Sequence, residues 1–160
     1  MTGIGLAIDA MGGDFGPRVT VPAALTVLRE NPSLRLTFVG DESLIDPFLS
    51  GLTAGERFRV SVVHTTEVVN MDDKVAVALR QKKQSSMRLA INLVHQKTVS
   101  ACVSAGNTGA LMAISRFVLK THANIDRPAI MAALPTMTGH VHMLDLGANV
   151  ESEPHHLLQF

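Results

Sequence analysis

The sequence predicts an α/β fold in which a mostly parallel sheet lies between two layers of helices, a three-layer αβα sandwich. Short apolar runs rich in β-branched residues alternate along the chain with segments of helical period. This alternation is typical of successive βαβ units. A length of 160 residues with 46% hydrophobic residues is enough for one core of ordinary size.

The predicted elements follow one another in a regular order. The predicted strands are the runs LAIDAM, LRLTFVGD, RVSVVHT and TVSACVS. The predicted helices are VPAALTVLREN, SLIDPFLSGL, MRLAINLVHQK and the segment beginning at ALMAISR. DDKVAVALRQKK lies between them and is followed by a predicted break at QSS. Asp41 and Ser85 stand where helices begin, and we expect both to be N-caps. Two more strands, AIMAALPT and HVHMLDLGAN, are separated by a turn at 137–139.

Composition excludes several classes of protein. Fourteen basic residues balance fourteen acidic ones, which argues against a nucleic-acid surface held by bulk charge. Cys102 is the only cysteine, so an internal disulfide framework is excluded. Seven histidines are present, but no carboxylate or cysteine pattern completes a metal site around them, and we expect neither metal nor cofactor. The sequence shows no signal peptide and no membrane span, which favours a cytoplasmic protein.

The segment SAGNTG is the strongest candidate for a binding loop. It follows a predicted buried strand and precedes a helix, with Gly106 and Gly109 allowing close approach and Asn107 or Thr108 able to cap the helix. Backbone N–H groups at such a helix start, together with Ser104, favour a phosphate or a developing oxyanion. The alternative is that the glycines serve only to start the helix.

A second polar tip follows the first predicted strand. In IDAMGGDFGP, Asp9 and Asp14 flank Gly12 and Gly13 at the carboxyl end of the strand, where open α/β sheets place ligands. The alternative is that Asp14 caps a helix near Pro17 while the two glycines make the turn.

The remaining candidate tips are LRQKKQSSM and LDLGAN. In the first, Lys82 and Lys83 precede Ser85 and Ser86, a combination that can hold phosphate at a helix start or simply form a solvated face.

In the second, Asp145 and Asn149 stand at a strand end, where they line a cleft with SAGNTG or merely cap the next helix. Ser152 is the predicted cap of a last helix that contains Pro154 and stops at Phe160. A helix of less than about two turns is unstable alone, so we expect the sequence to be a truncated chain or the first part of a longer one.

Taken together and in this order, IDAMGGDFGP, VGD, ALRQKKQSSM, SAGNTGALM, IDRPA and LDLGANV resemble the bacterial phosphate acyltransferase family of phospholipid synthesis. The resemblance covers Ile8 to Phe160, about the first half of a typical member. It implies an αβα fold similar to phosphotransacetylases and, more distantly, to isopropylmalate dehydrogenase. It also implies that residues 1–160 are the N-terminal part of a single domain whose C-terminal half is absent.

The implied reaction is attack by inorganic phosphate on the thioester of a long-chain acyl group carried by acyl carrier protein, which gives acyl phosphate. The catalytic candidates are Asn107, Lys82 and Asp145. The candidates for binding phosphate or substrate are Asp9, Gly12, Gly13, Asp14, Lys83, Ser85, Ser86, Ser104, Gly106, Thr108, Gly109, Arg127 and Asn149. The carrier is acidic, which makes Arg80, Lys82, Lys83 and Arg88 candidates for its docking.

The resemblance further implies a homodimer, a cytoplasmic location with peripheral membrane contact, and a membrane glycerol-3-phosphate acyltransferase as acceptor of the product. Two alternatives stay open at this point. The chain could belong to a phosphotransacetylase-like enzyme that uses short acyl-coenzyme A, or it could be an inactive fragment that binds phosphate. A nicotinamide-dependent dehydrogenase is disfavoured because no nucleotide fingerprint or metal-binding Asp cluster occurs.

Overall fold

A computed structural model describes residues 3–147 and 151–160, and it divides the chain into two compact units. The first unit ends at Leu119, and the second comprises Lys120–Phe160. The first contains four strands, β1 (Ile4–Asp9), β2 (Leu34–Gly40), β3 (Val60–His64) and β4 (Ala101–Val103). Its helices are α1 (Pro17–Glu30), α2 (Glu42–Leu49), α3 (Ala54–Arg57), α4 (Val75–Arg80), α5 (Ser86–His95) and α6 (Thr108–Leu119).

The four strands form a parallel sheet in the order β3-β2-β1-β4. Successive side chains of a strand point to opposite faces, and both faces here are covered by helices. Ile8 and Phe38 pack with Leu25 of α1 and Ile45 of α2. On the other face, Ala7 and Val39 pack with Ala90 of α5 and with neighbouring residues. The predicted α/β fold with a parallel sheet between helices is therefore confirmed.

In the first unit, Asp41 and Ser85 cap helices as predicted, whereas the capping alternative for Asp14 is not observed. Asp41 accepts a hydrogen bond from the Ser43 amide at 3.0 Å and caps α2, while Ser85 caps α5. The N-cap of α1 is Gly16, with φ of 53° and no side-chain hydrogen bond, directly before Pro17. Asp14 is therefore not the cap of this helix, and the capping alternative for it is excluded.

The strand before SAGNTG differs from the prediction of a buried strand. β4 has only three residues, and it lies at the edge of the sheet with β1 as its neighbour. Val103 is consequently 53% exposed and Cys102 is half-buried. An edge strand lacks a partner on one side, which is why an apolar sequence here does not become a buried strand.

The second unit contains a two-stranded antiparallel sheet and a short helix. β5 (Met131–Thr136) pairs with β6 (Gly139–Leu144), as expected for the two apolar runs around the turn. The helix α7 (Pro154–Gln159) begins after Glu153, which caps it together with His156. The prediction that Ser152 caps this helix is wrong, because its hydroxyl donates to the carboxylate of Asp145 at 2.9 Å instead.

Candidate functional site

The buried carboxylate of Asp9 is the centre of the site in the first unit. Asp9 ends β1 and is only 2% exposed. One carboxylate oxygen accepts a hydrogen bond from the Ser86 hydroxyl at 2.6 Å, and the other accepts one from the Ser104 hydroxyl at 2.6 Å. A buried carboxylate requires such partners. Asp9 therefore joins the end of β1 to the first residue of α5 and to the loop after β4.

The loop between β4 and α6 is held by the same serine. The Gly106 amide donates to Ser104 Oγ at 3.1 Å, so this hydroxyl donates to Asp9 and accepts from the loop. Gly12 lies against both groups, because a Cβ there would be 2.9 Å from Asp9 Oδ2 and 2.9 Å from the Gly106 nitrogen. Gly13 has φ of 82°, and a Cβ there would be 3.2 Å from the Cβ of Ala105. The two glycine loops therefore pack directly against each other.

Asn107 begins α6 and ties it to a neighbouring loop. Its Oδ1 accepts the Ala110 amide at 2.9 Å, which confirms the predicted capping at this position. Its Nδ2 donates to the carbonyl oxygens of Met71 at 2.9 Å and Asp73 at 3.1 Å. The side-chain amide is thus occupied by the protein on both sides. Its role in this structure is to position the start of the helix.

The first turn of α6 presents donors to solvent. Thr108 and Gly109 are the first two residues of the helix, and both are exposed. Amides in a first helical turn have no intrahelical acceptor, and the helix dipole makes this end positive. The arrangement can bind an anion through main-chain N–H groups.

Lys82 is bonded to Asp73, a residue that Asn107 also contacts. Its ammonium group donates to the Val68 carbonyl at 2.7 Å and forms a close ion pair with the Asp73 carboxylate. This carboxylate also accepts the Asn70 amide at 2.7 Å. The hydrogen bond from Lys82, followed by that from Asn70, lowers the pKa of Asp73 below its ordinary value. Lys82 and Asn107 therefore hold the same segment, residues 70–73.

The other candidates of the first unit occupy different environments. Ser85 is fully buried, donating to the Lys82 carbonyl at 2.8 Å and accepting the Arg88 amide at 3.4 Å. Ser86 is buried on Asp9. Lys83 and Asp14 are both exposed. The structure thus places the two serines inside the protein and the two charged groups on its surface.

Two candidates lie in the second unit and one lies outside the described residues. Asp145 has φ of 61° and accepts from Ser152, as described above. Arg127 donates from its guanidinium to the Glu151 carbonyl at 3.3 Å. Asn149 falls on 148–150, outside the described residues.

Sequence reasoning missed the segment 65–73, which supports the site from one side. Thr65 donates to the Gln84 carbonyl at 2.6 Å, and the Glu67 carboxylate accepts the Gln84 amide at 2.6 Å. The Ser86 amide donates to the Glu67 carbonyl at 3.0 Å. The one available signal was Asp73 itself, a carboxylate nine positions before Lys82 in a chain whose QKKQSS segment was already a candidate.

The thiol of Cys102 lies close enough to Asp9 for the carboxylate to affect its pKa. Its pKa is raised, first by burial and then by the negative charge of Asp9. The thiol is therefore kept protonated at neutral pH, which makes it a poor nucleophile.

Within 3–147 and 151–160, no group of three or more His, Cys, Asp or Glu side chains could hold a metal ion. In the same residues, no helix has both the length and the apolar character needed to cross a membrane.

Comparison with known proteins shows the family to which the chain belongs. Residues 4–160 match the family model described as "Fatty acid synthesis protein". The phosphate acyltransferase of Methylococcus capsulatus is 61% identical over 155 residues, which are 97% of this chain and 46% of that protein. The phosphate acyltransferase of Pseudomonas fluorescens strain Pf0-1 is 57% identical over 155 residues, again 97% of this chain and 46% of that protein. That of Shewanella amazonensis is 55% identical over 161 residues, 100% of this chain and 47% of that protein.

The chain spans about half the length of the curated relatives it matches. The matched range, from Ile4 to Phe160, nevertheless includes Asp9, its partners Ser86 and Ser104, and the elements that carry them. On this evidence the chain belongs to the fatty acid synthesis protein family, together with relatives named phosphate acyltransferase.

Proposed function

We propose that this chain forms the phosphate-holding part of an acyltransferase that moves a long-chain fatty acyl group from acyl carrier protein to inorganic phosphate. The product would be an acyl phosphate used in phospholipid synthesis. The names of the relatives support the phosphate acyltransferase reaction, and the family description supports a place in fatty acid metabolism.

The observation that carries the proposal is the exposed start of α6 on a fixed loop. Ser104, anchored on buried Asp9, holds the Gly106 amide, and Asn107 holds the next residues against the segment 70–73. The N–H groups of Thr108 and Gly109 are therefore fixed in direction before an anion arrives. A preorganised donor set of this kind stabilises negative charge without the cost of rearranging at the moment of reaction.

In the proposed reaction, a phosphate oxygen attacks the carbonyl carbon of the thioester and forms the new C–O bond. The tetrahedral intermediate then collapses with cleavage of the C–S bond, and the carrier leaves as a thiolate that takes up a proton. Phosphate is nucleophilic at neutral pH, so the site needs positioning and charge stabilisation more than a covalent nucleophile. The protonated thiol of Cys102 agrees with this requirement.

Roles for the side chains follow from where each one lies. We assign Lys82 the balancing of phosphate charge, from a side chain that is 20% exposed beside Asp73. Asn107 acts as a positioning residue, since both ends of its amide are already bonded within the protein. Asp145 and Arg127 lie in the second unit, and their participation stays a prediction.

The proposal is tested by titrating the chain with inorganic phosphate and following binding by calorimetry, with chloride at equal ionic strength as the reference. Palmitoyl-acyl carrier protein and phosphate are then added, and hydroxylamine traps any acyl phosphate as a hydroxamate. We expect saturable phosphate binding and phosphate-dependent hydroxamate. A folded chain that binds phosphate no better than chloride would overturn the proposal.

The same assay separates the alternatives. Product from acetyl-coenzyme A in preference to the carrier-bound palmitoyl group would favour a phosphotransacetylase-like enzyme. Phosphate binding without product from either donor would favour a fragment that only binds phosphate. The homodimer, the cytoplasmic location with peripheral membrane contact, and the membrane acyltransferase that accepts the product belong to the same proposal.

A further inference from the structure

Helix α1 carries an exposed apolar stripe in addition to the buried side that it packs into the core of the first unit. The stripe consists of Val19, Ala23 and Val27, which are all exposed. Residues four positions apart lie on the same side of a helix, so the three side chains form one continuous row. A row of this kind is typical of a surface that contacts an apolar group.

The stripe forms one wall of a groove with a volume of about 350 Å³. The floor of the groove contains Leu6 and Ile8, which point from β1 to the face of the sheet that α1 covers. The opposite wall contains Val103 of the edge strand β4, which is 53% exposed. Because α1 packs over β1 and β2, the part of this face that β1 shares with β4 forms a groove instead of packed core. We call it the α1/β4 groove.

The polar groups that border the α1/β4 groove are bonded within the protein. The hydroxyl of Thr20 donates to the Ala10 carbonyl at 2.7 Å. The two carboxylate oxygens of Asp9 accept hydrogen bonds from Ser86 and Ser104, and Asp9 is almost completely buried. The groove therefore offers its occupant chiefly apolar contacts.

One end of the groove reaches the loop at the start of α6. Ala105 lines this end and stands between Ser104, which is bonded to Asp9, and Gly106. α1 begins at the same edge of the sheet and runs back along it, so Val27 marks the other end, about 12 Å from Val19 at about 1.5 Å per residue. A loop with amide donors at one end of an elongated apolar groove fits an amphiphile with a polar head and a straight hydrocarbon tail.

We propose that the α1/β4 groove binds the hydrocarbon tail of a fatty acyl group, with its carbonyl end at Ala105 and its methyl end toward Val27. The identification of this tail with the acyl group that is transferred to phosphate rests on the proposed function. Each methylene that leaves water contributes about fourfold to affinity. The groove therefore favours a long straight chain over an acetyl group, which is the selectivity that separates the proposed reaction from that of a phosphotransacetylase-like enzyme.

A single introduced tryptophan tests where the tail lies, since the chain contains no tryptophan of its own. Val27→Trp places the fluorophore at the far end of the groove, and Thr26→Trp, at an exposed position of α1 outside the groove, is the matched control. The probes are 12-bromododecanoic acid and 2-bromododecanoic acid, in which bromine quenches tryptophan fluorescence at close range. We expect the 12-bromo acid to quench Val27→Trp more strongly than the 2-bromo acid does, and both acids to have little effect on Thr26→Trp.

Unlabelled fatty acids, whose carboxylate stands in for the thioester carbonyl, measure the apolar contribution by calorimetry. We expect dodecanoate to bind on the order of a hundredfold more tightly than octanoate, because it buries four more methylenes at about fourfold each. Ala23→Glu places a charge in the wall of the groove, and Thr26→Glu adds the same charge to α1 outside it. Dodecanoate affinity should fall about tenfold or more in Ala23→Glu and stay within about twofold of wild type in Thr26→Glu. Circular dichroism checks that each variant is folded.

The outcomes separate the groove from the proposed function. Equal quenching by the two brominated acids, or equal loss of dodecanoate binding in Ala23→Glu and Thr26→Glu, would overturn the groove assignment. Self-association of the wild type that Ala23→Glu abolishes, without dodecanoate binding, would overturn it in favour of contact between two copies of the chain. Phosphate titration of the same samples tests the proposed function. Dodecanoate binding without phosphate binding would leave the groove standing and remove the function, whereas phosphate binding without dodecanoate binding would remove only the groove.

Discussion

The hydroxyl of Ser104 donates to Asp9 at 2.6 Å across 95 positions of sequence and at the same time accepts the Gly106 amide. This one side chain therefore connects a buried charge at the end of β1 with the loop that begins α6. The opposite oxygen of Asp9 accepts from Ser86, so that one carboxylate orients three segments of chain. The start of α6, where we propose that phosphate binds, is therefore held in place through a carboxylate that is itself buried.

Replacing Asp9 with Asn is expected to destabilise the chain by about 2 kcal/mol, in the range of a buried hydrogen bond to a charged group. An amide offers one acceptor oxygen where the two serine hydroxyls now use two. Urea denaturation followed by circular dichroism measures the change. An Asp9→Asn protein as stable as wild type would show that the two short hydrogen bonds do not hold the loops together.

Gly12→Ala is expected to cost about 1–3 kcal/mol, as overpacking of a close contact does, and to weaken phosphate binding. The new Cβ would lie 2.9 Å from the Gly106 nitrogen, which is backbone and cannot simply turn away. Gly51→Ala is the matched control, since nothing lies within 4 Å of a Cβ there. Thermal unfolding and phosphate titration of both variants provide the comparison, and equal behaviour of the two would contradict the close packing of the glycine loops.

Asn107→Ala and Asn107→Asp separate the two functions of this side chain. The alanine variant loses the cap of α6, at about 1 kcal/mol, together with the bonds to the segment 70–73. The aspartate variant keeps an acceptor for the Ala110 amide but places a negative charge against the Met71 and Asp73 carbonyls. Because the cap is kept, we expect the aspartate variant to retain more stability than the alanine variant. Because of the added negative charge, we expect it to bind phosphate about tenfold more weakly than wild type, a loss of about 1.4 kcal/mol. Calorimetric titration with phosphate is the measurement, and wild-type affinity in both variants would remove Asn107 from the site.

The ion pair between Asp73 and Lys82 is expected to make stability depend on pH in the acid range. Because the pKa of Asp73 is lower in the folded chain, its contribution is fully present above the unfolded value, about 3.9, and is lost as the pH falls through the folded value. Melting temperatures of wild type and Asp73→Asn between about pH 2 and 7 should therefore differ most at the upper end and converge in acid. Asp72→Asn, at an exposed neighbouring carboxylate, serves as control. A difference between wild type and Asp73→Asn that does not change with pH would contradict this account.

Local sequence was sufficient for the helix and strand types and for several helix starts. Asp41, Ser85 and Asn107 cap the helices that follow them, because each needs only the backbone amides two or three residues ahead. Ser152 was the exception. Its hydroxyl bonds to Asp145, and a partner seven positions back in an irregular segment carries no periodic signal.

The candidate site was predicted residue by residue but not as an arrangement. Asp9, Ser86 and Ser104 were each marked as ligand-binding candidates, and the structure brings them together as bonds to one another. Lys82 was marked as a phosphate ligand, while its ion pair with Asp73 was not foreseen, since a partner nine positions away in an irregular segment leaves no periodic pattern in the sequence.

The sequence by itself determined the α/β class, the order of the strands and helices along the chain, and the glycine-containing turns. These properties depend on residue type and on neighbours within one or two turns. Only the tertiary structure decided that β4 lies at the sheet edge, that Asp9 is buried, and that its partners are serines 77 and 95 positions away. Such contacts form only when the strands are arranged in a sheet. The spatial order of the strands is set by packing on both faces of the sheet rather than by any local sequence pattern.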